Sequence, residues 1–431
     1  MTVKKVKQYY YHLMARYLAV KIRPQDHAVE VNPQNDYLGN FLKHLMTIAY
    51  PEEAQTLAGL SPDYLVLNGN LHIERDIHSF FTSLRGRLKS ATCLVIIYYS
   101  SLWKPILMTA ARFGMRNRIP EINWITTGDM INFLELTGYE VISDETRVLM
   151  PIYIPFLSNF LNRWLAPLPL FNSLCMVHIM TAKPAIPVFF EPPSVSVVIP
   201  ARNEAGNIED AVKLIPRMGP ADEIIFVEGG SSDNTWETIC DIRDRYGKDQ
   251  HIIIAKQEGR GKGDAVRKGF ALASKEILMI LDADLTVPPE TLPQFYQALV
   301  EGKGEFINGS RLVYPMENRS MRFLNMIGNK FFAIAFTFAL NQSFKDTLCG
   351  TKVLTRDNYL KIAAHRDYFG EFDPFGDFDL IFGAVRMGLK VRELPIAYRE
   401  RTYGDTNISR WRHGWLLIKM LYCSIIKIKF I

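Results

Sequence analysis

Cysteine is scarce in this 431-residue chain, and the five present, Cys93, Cys175, Cys240, Cys349 and Cys423, are widely scattered with no Cys-x-x-Cys pair. That excludes a disulfide framework and a thiolate zinc site as organising devices, and it predicts a reducing, cytoplasmic setting. Blocks of like charge are missing too, and the formal net charge is only +5. Nothing therefore marks a nucleic-acid footprint, and no nucleic-acid partner is expected; a mildly basic chain suits anionic phosphates or an anionic membrane surface. Residues 1–11 carry Lys4, Lys5 and Lys7, but no apolar stretch of signal-peptide type follows, which argues against secretion.

Clean membrane spans are also lacking. The apolar stretch 148–180 is broken by Pro151, Pro155, Arg163, Pro167 and Pro169, and residues 411–431 mix Trp, Leu and Ile with Arg412, Lys419, Lys427 and Lys429. Both read as in-plane interfacial segments, with ordinary core helices as the alternative. The expectation is peripheral contact with the inner face of a membrane.

What is present is enough apolar material, 48% of residues, for two or three cored domains. The proline-rich apolar stretch 184–193 separates two runs of alternating strand and helix signals, so the reading is two Rossmann-like α/β domains, 1–190 and 191–431. In the second, strand patterns fall at 195–199, 223–227, 252–255, 277–281 and 306–308, with helical patterns at 207–217, 235–246 and 265–273. Short alternating elements of this kind predict a mostly parallel sheet with helices on both faces and ligands outside the carboxyl ends of its strands.

Polar clusters occur at each of those ends. Pro200, Arg202, Asn203 and Glu204 follow the first strand; Glu228 to Asp233, with two glycines and two serines between, follow the second; Gly259-Arg260-Gly261-Lys262-Gly263 follows the third. The fourth, Ile277-Leu278-Met279-Ile280-Leu281, gives way abruptly to Asp282-Ala283-Asp284, and the fifth to Gly309-Ser310-Arg311. Side chains two apart on an extended segment point the same way, so Asp282 and Asp284 can face one hard cation, Mg²⁺ or Mn²⁺ carrying a diphosphate, while Ala283 packs backward. An Asp-rich turn is the plainer alternative. The glycine loop permits close backbone approach to phosphate, with Lys262 adding charge. It is not a Walker A loop, because Lys256 stands where the first glycine belongs, and Gly263, then Asp264, come after Lys262 where Ser or Thr would have to follow.

Taken in order, SVVIPARNE, VEGGSSDNT, GKGDAVRKG, LDADLTVPPE, NGSR and RERTYGDTN resemble family 2 of the glycosyltransferases, nucleotide-sugar enzymes of GT-A fold, and most nearly the dolichyl- or polyprenyl-phosphate sugar synthases. The resemblance implies that Pro200, Arg202 and Glu204 line the nucleoside, with Glu228 in place of the usual base-reading Asp. It gives Asp282 to ribose and metal, Asp284 to the metal, and Lys262, Ala283 and Asn407 to the nucleotide-sugar site. Arg311 and Arg401 would neutralise the diphosphate as the sugar bond breaks. Gly229, Thr286 and Asn407 depart from the family pattern, where a second acid, sometimes a Gln, and a Lys are found. Asp377 and Asp379 are the acceptor-side candidates, one serving as general base if the acceptor is a hydroxyl; an acidic pair complementing a helix start is the alternative. The turn Asp346 to Lys352 falls where the family has an acceptor-site turn, and Cys349 within it reads as small packing.

The expected partners are therefore a nucleoside-diphosphate sugar and a lipid-phosphate or saccharide acceptor. A catalytically silent nucleotide-sugar-binding protein is the alternative of another class. Residues 1–182, through PDYLVLNGNLHIERDI and NWITTGDMINFLELTGYEVI, resemble class I methyltransferases that bind S-adenosylmethionine. Asn32-Pro33-Gln34-Asn35-Asp36 stands where that family expects glycines, so a degenerate domain without the cofactor is expected. Its strands are expected at 27–31, 63–67 and 92–98, then a strand-helix pair over 124–139, with 41–62 too short for the usual intervening strands.

Overall fold

The computed structural model describes residues 3–113, 123–185, 189, 191–311, 323–368, 376, 378–401, 403 and 410–431. The chain divides into two compact units, Met1–Ile186 with Ile426–Ile431, and Pro187–Ile425. No helix among the described residues is long and apolar enough to cross a membrane.

Unit 1 is built on six strands, β1 Ala28–Val31, β2 Leu45–Ile48, β3 Tyr64–Asn68, β4 Cys93–Tyr99, β5 Tyr139–Arg147 and β6 Val177–Pro184, in the order β2-β1-β3-β4-β6-β5. The first four are parallel neighbours, whereas β6 runs antiparallel to both β4 and β5. Leu65 to Leu67 and Leu94 to Ile97 are buried throughout, as unbroken aliphatic runs must be when helices cover both faces of a parallel sheet.

Three expectations for this unit need correction. Residues 41–62 do hold a strand, β2, followed by a helix at Ala54–Leu60. Over 124–139 the order is helix then strand: Thr126 and Asp129 close a reciprocal capping box that starts the helix Thr127–Leu136, and β5 follows it. Finally, residues 426–431 group with unit 1 and not with the segment that precedes them. Arg147, almost fully buried, donates to the carbonyls of Lys429 at 2.6 Å and Ile428 at 3.2 Å, and the Phe430 ring lies 5.3 Å from that of Trp164. A buried guanidinium needs acceptors, and the chain terminus supplies two of them.

Glu30, on β1, is 1% exposed; Asn68 donates to one of its oxygens at 3.1 Å while the other has no partner. Burial raises its pKa from the ordinary 4.5 to about 7, against the Asn68 hydrogen bond. A raised folded-state value means a stability contribution fully present below pH 4.5 and lost as pH rises through about 7. That range corresponds to ~3 kcal/mol. Unfolding of the full chain followed by circular dichroism should show the unit 1 transition weakening between pH 5 and pH 8.5, and Glu30→Gln should flatten that dependence; an unchanged slope in the variant would contradict the assignment.

Unit 2 carries seven strands, β7 Val195–Ala201, β8 Glu223–Glu228, β9 His251–Lys256, β10 Ile277–Ile280, β11 Phe306–Ser310, β12 Lys352–Thr355 and β13 Val391–Pro395, ordered β13-β11-β12-β10-β7-β8-β9. The strands anticipated from the sequence are present, most slightly longer and β10 one residue shorter, and β12 and β13 join them. β12 is antiparallel to both its neighbours, β10 and β11, so it begins at the edge where the parallel strands end. The helix Lys262–Leu272 lies close on β7: a Cβ on Gly269 would come within 2.3 Å of Val198 Cγ1. A shared core of Val197, Ile199, Phe226, Met279, Leu281 and Phe295 fixes the sheet against its helices, so the loops at the strand ends start from a rigid base.

Candidate active site

The acidic pair emerges where β10 ends. Ala283 is 3% exposed and belongs to the core cluster, so its side chain turns inward while Asp282 and Asp284 turn out toward the edge. Each of the two acids meets a cation. Lys262 Nζ lies 2.6 Å from Asp282 Oδ1, and Arg401 Nη2 lies 2.5 Å from Asp284 Oδ2. The second oxygen of Asp284 accepts from Thr286 Oγ1 at 2.8 Å and from the Thr286 amide at 3.2 Å. Leu285 between them has φ 52°, a left-handed conformation that folds the chain back on itself.

Arg401 also bridges to Glu204, its Nη1 lying 2.9 Å from Glu204 Oε1, so one guanidinium joins the loop after β7 to the loop after β10. Glu204 Oε2 accepts from Asn207 at 2.7 Å. Burial lifts the Glu204 pKa to about 6 despite the adjacent guanidinium. Burial works against the charge of Asp282 too, but Lys262, and beyond it Lys352 and Arg311, hold its carboxyl below the usual value. A carboxylate kept charged in a buried setting is suited to a cationic ligand.

The loops after β7 and β8 are stitched together. Asn203, at φ 55°, accepts from the Ser232 amide at 2.8 Å and donates its own amide to Ser231 Oγ at 3.1 Å, and the Glu204 amide donates to Thr235 Oγ1 at 3.0 Å. Glu228 is buried and caps the turn, taking the Ser231 amide at 2.5 Å. Pro200, partly buried near the end of β7, lies opposite Val227, and after buried Ala201 comes Arg202, exposed to solvent. The glycine loop leads through Gly261, φ 87°, into a helix whose first residue is Lys262, which aims backbone N–H groups and a lysine at the same edge.

Arg311 makes a fork to Asp346, Nε to Oδ2 at 2.7 Å and Nη2 to Oδ1 at 2.9 Å, and its guanidinium lies 5.3 Å from the Tyr398 ring centroid. It is thereby locked into the fold beside the site. Asp379 is engaged by Arg366, Nε to Oδ2 at 2.5 Å. Asp377 and Asn407 lie outside the described residues.

The Asp346–Lys352 turn was marked in the sequence, but not what its residues touch. Gly350 packs directly on the Lys262–Asp282 pair: a Cβ there would stand 2.0 Å from Asp282 Oδ2 and 2.5 Å from Lys262 Nζ. Lys352, fully buried at the start of β12, donates to the Cys349 carbonyl and holds that turn in place. Cys349 itself is buried, and burial pushes its thiol up to about 12, as befits packing and not a nucleophile. A Cβ on Gly376 would lie 2.6 Å from Gly263 Cα, which sets the segment before Asp379 against the start of the Lys262 helix. The signal for Gly350 was its place inside the Asp346–Lys352 turn; only the fold shows what the missing side chain leaves room for.

Asp282 and Asp284 offer carboxylate oxygens side by side at one strand end, the hard donors that Mg²⁺ or Mn²⁺ takes. A mostly parallel sheet with such an acidic pair at one strand end is the GT-A arrangement of nucleotide-sugar transferases. Residues 196–361 match the family model described as Glycosyl transferase family 2. The chain is 30% identical to glycosyltransferase AglJ of Haloferax volcanii over 54% of its own length and 72% of that protein. It is 28% identical to a dolichol-phosphate mannosyltransferase of Pyrococcus furiosus over 50% and 59% of the two chains, and 30% identical to the dolichyl-phosphate beta-glucosyltransferase of Saccharomyces cerevisiae over 48% and 66%. Among solved structures, glucosyl-3-phosphoglycerate synthase from Mycobacterium tuberculosis, crystallised with Mn²⁺, UDP-glucose and glycerol 3-phosphate, aligns at a TM-score of 0.41 and 20% identity over 55% of this chain and 80% of that one. The chain belongs to glycosyltransferase family 2.

Gly350→Ala tests the packing of the site. The added methyl must displace Asp282 or Lys262, so glycosyl transfer should fall by about 100-fold or more while the melting temperature changes little; retention of near-normal activity would show that this contact does not order the site.

Proposed function

We propose that the chain is an inverting transferase that moves a sugar from a nucleoside-diphosphate sugar to a polyprenyl phosphate at the cytoplasmic face of a membrane, with a divalent cation on the diphosphate. The observation that carries this reading is the double ion pair at the end of β10, Lys262–Asp282 and Arg401–Asp284. Asp282 and Asp284 would hold the Mg²⁺ or Mn²⁺, which supplies positive charge to the departing diphosphate. Lys262 and Arg401 already stand at those carboxylates, where they can turn to diphosphate oxygens and take up charge as the bond breaks. Glu204, joined to Arg401, keeps that guanidinium oriented. The bond from the anomeric carbon to the diphosphate oxygen breaks while an acceptor oxygen bonds to the opposite face of that carbon, and the nucleoside diphosphate leaves with the electron pair.

A lipid phosphate is already ionised near neutral pH and needs no general base. This agrees with the engagement of Asp379 by Arg366, which suits it to position the acceptor side. The dolichol-linked names of two relatives support the same acceptor class.

For unit 1 we infer a methyltransferase-like domain that does not take S-adenosylmethionine. The loop after β1 supports this: Asn32, at φ 48°, exchanges hydrogen bonds with the backbone of Tyr50, and Gln34 donates to the Gly69 carbonyl at 3.1 Å. Side chains there occupy the space that close approach of a cofactor requires.

Two measurements test these readings. A thermal-shift screen of nucleoside diphosphates should show a shift for one base that grows with Mn²⁺; in Asp284→Asn the metal increment should vanish and kcat/KM fall by at least about 100-fold. Short polyprenyl phosphates supplied with common radiolabelled donors should yield an organic-extractable sugar, and label appearing only on a saccharide would replace the lipid acceptor.

A further inference from the structure

Unit 1 presents a surface built inside out. In residues 152–174 two polar side chains, Ser158 and Asn162, face the protein while many of the large apolar ones face solvent. Ser158 and Asn162 are essentially fully buried. Ser158 Oγ accepts from the Ile154 amide at 2.6 Å and donates to the Ile152 carbonyl at 2.7 Å. Asn162 exchanges hydrogen bonds with both backbone groups of Met150 at 2.7 and 2.8 Å and donates to Tyr9 Oη at 3.1 Å. With the polar residues pinned inward, Phe156, Leu157, Phe160 and Trp164 are left outside. Phe156 is 91% exposed and is held at φ 62°, a conformation that a bulky side chain adopts only when its surroundings impose it.

The helix Lys104–Arg112 extends this surface. Trp103 Nε1 donates to the Leu174 carbonyl at 2.8 Å, and Leu107 shares a core with Val148 and Met176. Ile106 on the outer side of the helix and the flanking Leu102 and Phe113 add to the surface, the last 72% exposed. Water does not stabilise a continuous apolar rim of this kind, and a folded chain retains one where something apolar covers it.

Charge says what covers it. Residues 77–120 and 146–190 contain no Asp or Glu, while Lys104, Arg112 and Arg163 sit in the two exposed segments. The Arg163 guanidinium lies 5.4 Å from the Trp164 ring centroid, an aromatic-and-cation combination suited to the headgroup level of a bilayer. A protein partner would call for charges of both signs at the rim; an anionic lipid surface calls for cations alone.

We propose that the rim formed by residues 152–174 and the helix Lys104–Arg112 inserts into the interface of an anionic bilayer, making unit 1 a monotopic membrane anchor. This deepens the lipid-acceptor reading by naming what holds the chain at the membrane. The two can fail separately, because flotation requires no sugar transfer and transfer to a short soluble polyprenyl phosphate requires no membrane.

The full chain is mixed with phosphatidylcholine or phosphatidylcholine–phosphatidylglycerol vesicles and floated on a density gradient. The wild type should float with the mixed vesicles, more at low than at high salt. F156S/F160S/W164S should lower the floated fraction by about tenfold with the circular dichroism melt unchanged, and K104E/R112E should remove the preference for phosphatidylglycerol. Should the triple variant misfold, quenching of tryptophan fluorescence by brominated lipid that drops in W164F supports the same conclusion. Flotation of a folded triple variant equal to wild type, or quenching equal in W164F, overturns the proposal. So does a wild type that ignores both vesicles and self-associates through this rim in sedimentation, which would make the occupant a second copy of the chain.

Discussion

Two carboxylates at the end of a buried strand repel each other and resist desolvation, and the site in unit 2 is arranged around neutralising them. Lys262 enters from the helix after β9 and Arg401 from the segment after β13, so elements far apart in sequence converge on Asp282 and Asp284. Removing either cation would leave a partly buried negative charge without its partner, a more costly state than the pair itself. The surrounding features serve this arrangement. Gly350 gives up a side chain so that Lys262 and Asp282 can meet, Thr286 fixes the second oxygen of Asp284, and Glu204 keeps Arg401 in place.

A second layer of charge lies beneath the first. Arg311 and Asp346 form a forked pair in the interior, and Lys352 is fully buried at the start of β12. Both cations also help keep Asp282 charged. β12 runs against its neighbours, which brings its first residue and the preceding turn to the same edge as the ends of the parallel strands. The antiparallel strand is therefore what lets a parallel sheet present Gly350 and Lys352 beside the acids.

Most of the parallel strands of both units were legible in the sequence because a buried strand in an α/β sheet is an unbroken aliphatic run, as in Ile277 to Leu281, and the polar residues that follow mark the edge. Asp282, Asp284, Glu204 and Lys262 were expected at that edge for the same reason, whereas Arg401 was expected only through the family resemblance. Short elements without such runs were not. β2, with only its end residues buried, and β13, with a buried first residue and a more open remainder, carry too little periodic signal. Over 124–139 a strand and a helix were expected, but in the reverse order; the capping box that starts the helix at Thr127 becomes plain once Thr126 and Asp129 are seen to exchange hydrogen bonds.

The sequence by itself determined the order of the first five strands of unit 2 and of three helices among them, the chemistry available at each of those strand ends, and the family, because these depend on local pattern and residue type. Which charges meet was decided only by the tertiary structure. Arg311, expected to face the diphosphate, is forked to Asp346, and Arg401 spans Asp284 and Glu204 across separations of 117 and 197 residues. The inside-out rim of unit 1 follows the same rule: its apolar character was visible in the sequence, but its direction was set by Ser158 and Asn162 finding backbone partners inside. Coulomb and hydrogen-bond partners are chosen by distance in space, and sequence spacing fixes that distance only within a single helix or strand. For the acidic pair, the strand placed the two carboxylates side by side, and the fold supplied the cations that make them a site.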